Sequence, residues 1–435
     1  MTYDRRVDDI PPESTGSDRA RRAVEAVWRA EAPRIVSALT RHTGDFAWAE
    51  DLAQEALVEA LAQWPDGGIP DNPGAWLLAV AKRRAIDGWR RRERLAAREN
   101  VLAHDVRIAE SIDSVAESAD PDDIADDILR LVFVSCHPVL PAAARLALTL
   151  RTVAGLTTEE IARALLMTVP AVQQRIVRAK RTLAEAGVPF EVPDRAQRPE
   201  RLAAVLHVVY LLFTEGYSAA AGQRALRPDV AREAVRLARL TAALLPGEGE
   251  VQGLIALMEF QSSRFAARLD AAGRPVLLAD QDRRRWDRSA IARGQEALAQ
   301  ADRGRGWGYY GLQAAIAACH ATAPDAASTD WARIVSLYDA LLTLTPSPVI
   351  RLNRAVAVAH AEDPRSALQL VEDLDAEGAL RGFRPLEAVR AELLERLGET
   401  DAAATAFDRA AALPGNDVEA AMLRERSAAL RACAP

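Results

Sequence analysis

Helix punctuation constrains this chain more than any other feature of its sequence. Gly44-Asp45, Asn72-Pro73, Thr157-Thr-Glu-Glu160 and Thr168 with Pro170 are helix stops and starts, and the intervals between them suit helices and little else. Apolar Phe46, Ala49, Leu52, Ala56, Leu57, Ala60 and Trp64 recur near helical spacing, with Glu50, Asp51, Gln54, Glu55 and Glu59 on the other face. The pattern predicts helices over residues 18–42, 46–64 and from Asn72 into the run that begins at Lys82. Further helices follow over 124–136, 141–154, 157–165 and 168–186. Pro33, inside the first stretch, predicts a kink or a break. At 435 residues the chain exceeds one ordinary core and should divide into about two to four domains.

The net charge of −7 hides a segregation. From Lys82 to Arg98 there are eight basic residues against Asp87 and Glu93. From Glu99 to Asp127 there are ten acidic residues against Arg107 alone. Arg163, Arg175, Arg178, Lys180 and Arg181 then fall in a stretch, 161–184, that holds no acid. Two cationic helices held apart by an anionic tether suggest two contacts on one nucleic acid. The short helix at 157–165 and the longer basic one after Thr168, joined by a tight turn, fit a helix-turn-helix.

Residues 188–199, with three prolines, read as a linker. Beyond them the chain is helical and partly repetitive. Tyr338-Asp-Ala-Leu-Leu-Thr-Leu-Thr-Pro346 matches Phe407-Asp-Arg-Ala-Ala-Ala-Leu-Pro414, the aromatic positions lying 69 residues apart and the prolines 68. That is about two periods of a ~34-residue tetratricopeptide unit. The polar start and the absence of a long apolar run predict a soluble, cytoplasmic protein with no membrane contact. Cys136, Cys319 and Cys433 are too few and too scattered for a disulfide framework. Cys136-His137 and Cys319-His320 lack further ligands at finger-like spacing and read as core residues, so no metal or cofactor is expected. No phosphate loop, nucleophile elbow or zinc-binding histidine pair is present, so no catalysis is expected either.

Residues 19–187 resemble a bacterial extracytoplasmic-function sigma factor, a minimal specificity subunit of RNA polymerase. Residues 44–56, Gly44-Asp45-Phe46 to Ala56, resemble the region 2 helix that docks on core polymerase. Residues 72–92, Asn72-Pro-Gly-Ala-Trp76 to Arg92, resemble the part that melts and reads the −10 element. Residues 156–183 resemble the region 4 helix-turn-helix that reads the −35 element. The tail is similar to a subgroup with a long tetratricopeptide-like extension, through Tyr210-Leu-Leu-Phe-Thr-Glu-Gly-Tyr-Ser218, Asp280-Gln-Asp-Arg-Arg-Arg-Trp-Asp287 and Gln313-Ala-Ala-Ile-Ala-Ala-Cys-His320. The implied fold is all-α: a flexible tail at 1–18, a region 2 bundle at 19–98, an acidic linker at 99–124, a region 4 domain at 125–187 and a helical extension at 188–435. Where the family usually has glycine in the helix-turn-helix turn, this chain has Leu166, so the turn is expected to form without a left-handed residue.

The resemblance implies three sets of functional residues. Trp76, Lys82, Arg83, Arg84, Trp89, Arg90 and Arg91 would serve the −10 element, with base capture in the loop from Asp66 to Asn72. Arginine and lysine neutralise phosphates, and a tryptophan can stack on an unpaired base. For Trp76 core packing outweighs stacking, and Trp89 could equally cover an arginine stem. Gln173, Gln174, Arg175, Arg178, Lys180 and Arg181 would serve the −35 element, by base-edge contacts or, for the cations, phosphate clamping. Asp51, Gln54 and Glu55 would meet a basic groove on core polymerase, although spacing alone reads them as a solvated face. The expected partners are core RNA polymerase, promoter DNA and a regulatory protein or intramolecular contact through residues 188–435. A helix-turn-helix regulator with a tetratricopeptide sensor, acting without polymerase, would leave the helices at 49–64 and 72–92 unexplained. A repeat adaptor with no DNA role is opposed by the two basic helices.

Overall fold

The computed structural model describes residues 16–96, 121–217, 227–271, 274, 276–302, 306–414 and 417–432. Cys433 and the acidic run over 99–120 lie outside them. The described residues form eighteen α-helices and no β-strand. The fold class is all-α. Contacts divide the chain into two compact units, residues 1–208 and 209–435.

The first unit contains α1 (Gly16–Thr43), α2 (Phe46–Gly67), α3 (Pro73–Ala96), α4 (Pro121–Ser135), α5 (Ala142–Thr152), α6 (Thr158–Ala164) and α7 (Val169–Glu185). The unit boundary falls within α8 (Arg198–Tyr217). Local chemistry sets most of these limits. The Asp45 carboxylate accepts from the Trp48 N–H, and Asn72 Oδ1 accepts from the Ala75 N–H at 3.1 Å. Thr157 and Glu160 close a reciprocal capping box on α6, and Thr168 caps α7. Gly44 and Gly187 take the left-handed conformation where α1 and α7 end.

Two expectations are corrected. α1 runs unbroken through Pro33, whose ring is buried in the stripe formed with Trp28, Ala32, Val36 and Leu39. Burying a large apolar side chain contributes ~1.5–3 kcal/mol, so a stripe of several outweighs the hydrogen bond that proline removes. The tight turn between α6 and α7 does use a left-handed residue, because Leu166 itself adopts φ 51°. It is the one non-glycine among the described residues with positive φ. The Met167 N–H donates to the Ala162 carbonyl at 2.9 Å and holds the turn closed.

The second unit stacks helices in sequence order: α9 (Pro228–Leu244), α10 (Gly249–Ser262), α11 (Arg288–Ala301), α12 (Tyr309–Thr322), α13 (Trp331–Leu344), α14 (Pro348–Ala361), α15 (Pro364–Ala376), α16 (Arg384–Arg396), α17 (Thr400–Ala412) and α18 (Asp417–Ala432). From α12 on, each helix packs on the next. One apolar cluster joins Leu312, Ile316, Ile334 and Leu341. A second, centred on Leu352, Val371, Leu386 and Phe407, runs through α14–α17. Phe407, one of the paired repeat aromatics, is fully buried, while its counterpart Tyr338 is half-buried. Glu250 reaches from α10 to accept from the Tyr310 and Gly311 N–H groups, capping the start of α12.

Candidate functional site

α2 is the centre of the charged site, because three sets of cations converge on its carboxylates. Toward α3, Arg84 donates to Glu59 at 2.7 and 3.1 Å and to Glu55 at 2.9 Å. Toward α7, Lys180 Nζ donates to Glu50 at 2.8 Å and to Asp51 at 2.5 Å. From α5, Arg151 donates to Glu50 at 3.3 Å and also to Gln54 Oε1. Glu50 is 3% exposed and Lys180 9%. Burial alone would lower the Lys180 ammonium, but Glu50 and Asp51 outweigh it and hold its pKa above the ordinary value. The ammonium therefore stays charged.

The residues expected to serve the −10 element fall into three settings on α3. Arg83, Arg90 and Arg91 are exposed, and Arg90 lies 4.0 Å from Asp87. Arg84 is engaged as above, and Lys82 is buried. Lys82 and Arg41, after burial itself, push the nearby His42 imidazole down to about 4. The two tryptophans lie in ring contacts: Trp76 meets Trp64 edge-on at 5.6 Å, and Trp89 meets Trp48 at 5.5 Å. Gly88 makes room for the second pair, since a Cβ there would lie 2.8 Å from the Trp48 ring. Both rings remain partly exposed.

On α7, Thr168 starts the helix and Val172, Ile176, Ala179 and Leu183 anchor its inner face. That stripe turns Gln173, Gln174 and Arg178 outward, exposed within the first three turns. Arg175 is half-buried and donates to Met167 Sδ at 3.1 Å, and Arg181 pairs with Glu185 at 2.6 Å. Of the six residues expected to read the −35 element, Lys180 alone turns inward, onto α2. Of the three expected on the docking face, Asp51 and Glu55 are exposed and ion-paired, and Gln54 is half-buried against Arg151.

Sequence reasoning missed Glu50 and Arg151. The signal for Glu50 was its place between Ala49 and Ala53, both buried, which puts an acid at the edge of the apolar stripe. The chain has two lysines, Lys82 and Lys180, and both are buried.

The Cys136 Sγ lies 3.2 Å from Thr149 Oγ1 in the core, and burial pushes its thiol up to about 11. Among the described residues no three His, Cys, Asp or Glu side chains come together as a metal would require. No described helix is long and apolar enough to cross a membrane. The second unit has a cavity of about 300 Å³ lined by Tyr210, Gln261, Arg264, Tyr309, Gln313 and Asn353, among others.

Comparison with known proteins matches residues 27–95 to sigma-70 region 2 and residues 130–183 to sigma-70 region 4. Residues 201–302 match a family of unknown function, DUF6596. An uncharacterized protein of Rhizobium meliloti (strain 1021) is 47% identical over 395 residues, covering 90% of this chain and 92% of the relative. Among solved structures, the P58(IPK) TPR domain aligns over 91% of this chain and 98% of that chain, at 14% identity and a TM-score of 0.26.

Proposed function

We propose, from the premise that this chain belongs to the sigma-70 family of promoter-recognition and transcription-initiation factors, that it is a sigma factor of the extracytoplasmic-function kind. The observation that carries this reading is the order region 2 then region 4, with a cationic helix in each and a capped helix-turn-helix in the second. Gln173, Gln174 and Arg178 extend from the N-terminal half of α7, the end of a recognition helix that reaches base edges. They make the −35 contacts, glutamine suiting adenine and arginine guanine. Arg83, Arg90 and Arg91 bind phosphates near the −10 element, and Trp76 and Trp89 support the surface from which the 66–72 loop captures a base. Asp51, Gln54 and Glu55 meet core RNA polymerase. The chain adds specificity and melting, and the polymerase carries out the chemistry. It acts in the cytoplasm.

The helical extension is a tetratricopeptide-like partner surface. Its cavity combines tyrosines with three side-chain amides and Arg264, a set suited to an extended peptide. Gel filtration of the full chain with sigma-free core polymerase tests the reading. Co-elution, weakened when Asp51, Gln54 and Glu55 are all changed to alanine, supports the sigma role and its docking face. Tight duplex binding without co-elution would replace it with a polymerase-independent regulator.

A further inference from the structure

Three consecutive arginines in Asp280-Gln-Asp-Arg-Arg-Arg-Trp-Asp287, a stretch outside both sigma domains, point three ways. Arg283 turns inward, 9% exposed, and donates to the His320 and Ala323 carbonyls at 2.6 and 2.7 Å. Its guanidinium also lies 4.6 Å from the ring centre of the buried Trp286. Arg284 folds back on Asp282, with two hydrogen bonds of 3.0 Å. The Asp287 N–H donates to the Ser263 carbonyl at 2.8 Å and pins the far end of the turn. Arg285 is left exposed, and among the described residues it makes no ion pair.

Arg285 opens into a cleft of about 730 Å³ in the second unit, where it joins Arg232, Arg236, Arg239 and Arg293. Two carboxylates share the lining, Glu259 and Asp287, which leaves an excess of three positive charges. Glu259, 3% exposed, accepts from Arg239 and, at 2.9 Å, from Arg293, so one buried acid fixes two guanidiniums that stay exposed. Asp287 is occupied in capping α11, accepting from the Ser289 and Ala290 N–H groups. Arg236 pairs with Glu233 at 2.7 Å, and Arg232, like Arg285, makes no ion pair among the described residues. A structural role explains only part of this. One arginine would neutralise Glu259, and a second with three more around it sets like charges against one another. Arg232, Arg236 and Arg239 stand four and three residues apart on α9, a spacing at which like charges weaken a helix. An anion in the cleft removes that repulsion.

We propose that this cleft binds a small ligand carrying a diphosphate group. The inference is independent of the sigma reading. Guanidinium forks match phosphate oxygens in bidentate geometry. A single phosphoryl group carries a charge of about −1.5 to −2, less than the cleft's excess, and a diphosphate matches it better. The cleft falls within the ~300–1,000 Å³ of small-molecule sites. Val235, Phe265 and Ala290 give it an apolar wall against which the rest of a ligand can lie. A duplex takes protein elements into its own grooves and does not itself enter a cleft of this size.

Isothermal titration of the full chain with pyrophosphate, ADP and orthophosphate at one ionic strength tests the site. Pyrophosphate and ADP should bind saturably, with orthophosphate at least about tenfold weaker. Arg232→Gln with Arg285→Gln removes two exposed side chains that hold no ion-pair partner, so the Tm without ligand should equal that of the parent. The pair should weaken pyrophosphate binding at least about tenfold. Arg365→Gln with Arg409→Gln removes the same charge from α15 and α17, outside the cleft, and should leave that affinity unchanged. ADP binding tighter than pyrophosphate supports the site and identifies a nucleotide; equal affinities support it and identify the diphosphate alone as the group held. No saturable binding of either probe would overturn the proposal. Equal weakening by the two double variants would also overturn it, as a general effect of surface charge. Duplex DNA binding that is lost with Arg232 and Arg285, without pyrophosphate binding, would replace it with a nucleic-acid contact.

Discussion

Two cationic helices flank the same acidic helix and use it differently. α3 spends Arg84 on Glu55 and Glu59, partners 25–29 residues away within one helical bundle. α7 spends Lys180 on Glu50 and Asp51, partners in what the family treats as a separate domain. The ions are alike, but their burial is not. Side-chain exposure is 38% for Arg84 and 55% for Glu55, against 11% for Lys180 and 4% for Glu50. A count of basic residues therefore overstates the surface offered to DNA by both helices, for different reasons. One cation braces its own bundle, and the other ties α7 to α2.

The largest expected effect comes from the buried side of this comparison. Glu50→Ala leaves Lys180 and Arg151 without their shared partner in a closed interface and should cost the first unit about 3–5 kcal/mol. Glu55→Ala on the exposed side should cost under about 1 kcal/mol. Chemical denaturation of both variants checks the contrast, and equal losses would break it. Next, Gly88→Ala drives a methyl group into the Trp48 ring and should lower stability by ~1–3 kcal/mol, read as a fall in Tm.

A smaller, pH-dependent effect belongs to the α3 side alone. His42 is held down to about 4 by burial and by Lys82 and Arg41, against 6.5 in the unfolded chain. Between those values the unfolded state takes up a proton that the folded state refuses, so stability falls as pH drops from about 6.5 toward 4. Denaturation midpoints across that window should decline less steeply in His42→Gln, and parallel curves would remove His42 from the account. The smallest effect is a gain. Leu166→Gly relieves a left-handed conformation that costs roughly 1–2 kcal/mol, less the roughly 0.5–1 that glycine loses in chain entropy. A Tm equal to or below that of the parent would contradict it.

Local features of the fold were legible in the sequence. Asp45, Asn72, Thr157 and Thr168 all cap helices, because a cap depends on residues three positions away. Features set by distant packing were not. Pro33 stays within α1 because its neighbours bury a stripe, and Leu166 turns left-handed because both flanking helices are anchored, through Ile161 and Val172. In the candidate site, the cationic stretches were visible as composition. The pairing of Lys180 with Glu50 was not, because nothing in the spacing of either helix refers to the other. The family resemblance placed both helices correctly in the chain but carried no information on which of their cations face inward.

If this chain gives core RNA polymerase new promoter specificity, transcription from a whole genome shows it. Sigma-free core polymerase would transcribe genomic DNA of the source organism with and without the full chain, and the 5′ ends of the transcripts would be sequenced. A small set of chain-dependent start sites sharing two upstream elements is expected. Changing Gln173, Gln174 and Arg178 to alanine should abolish most of those starts while core binding persists. Start sites identical with and without the chain would contradict it.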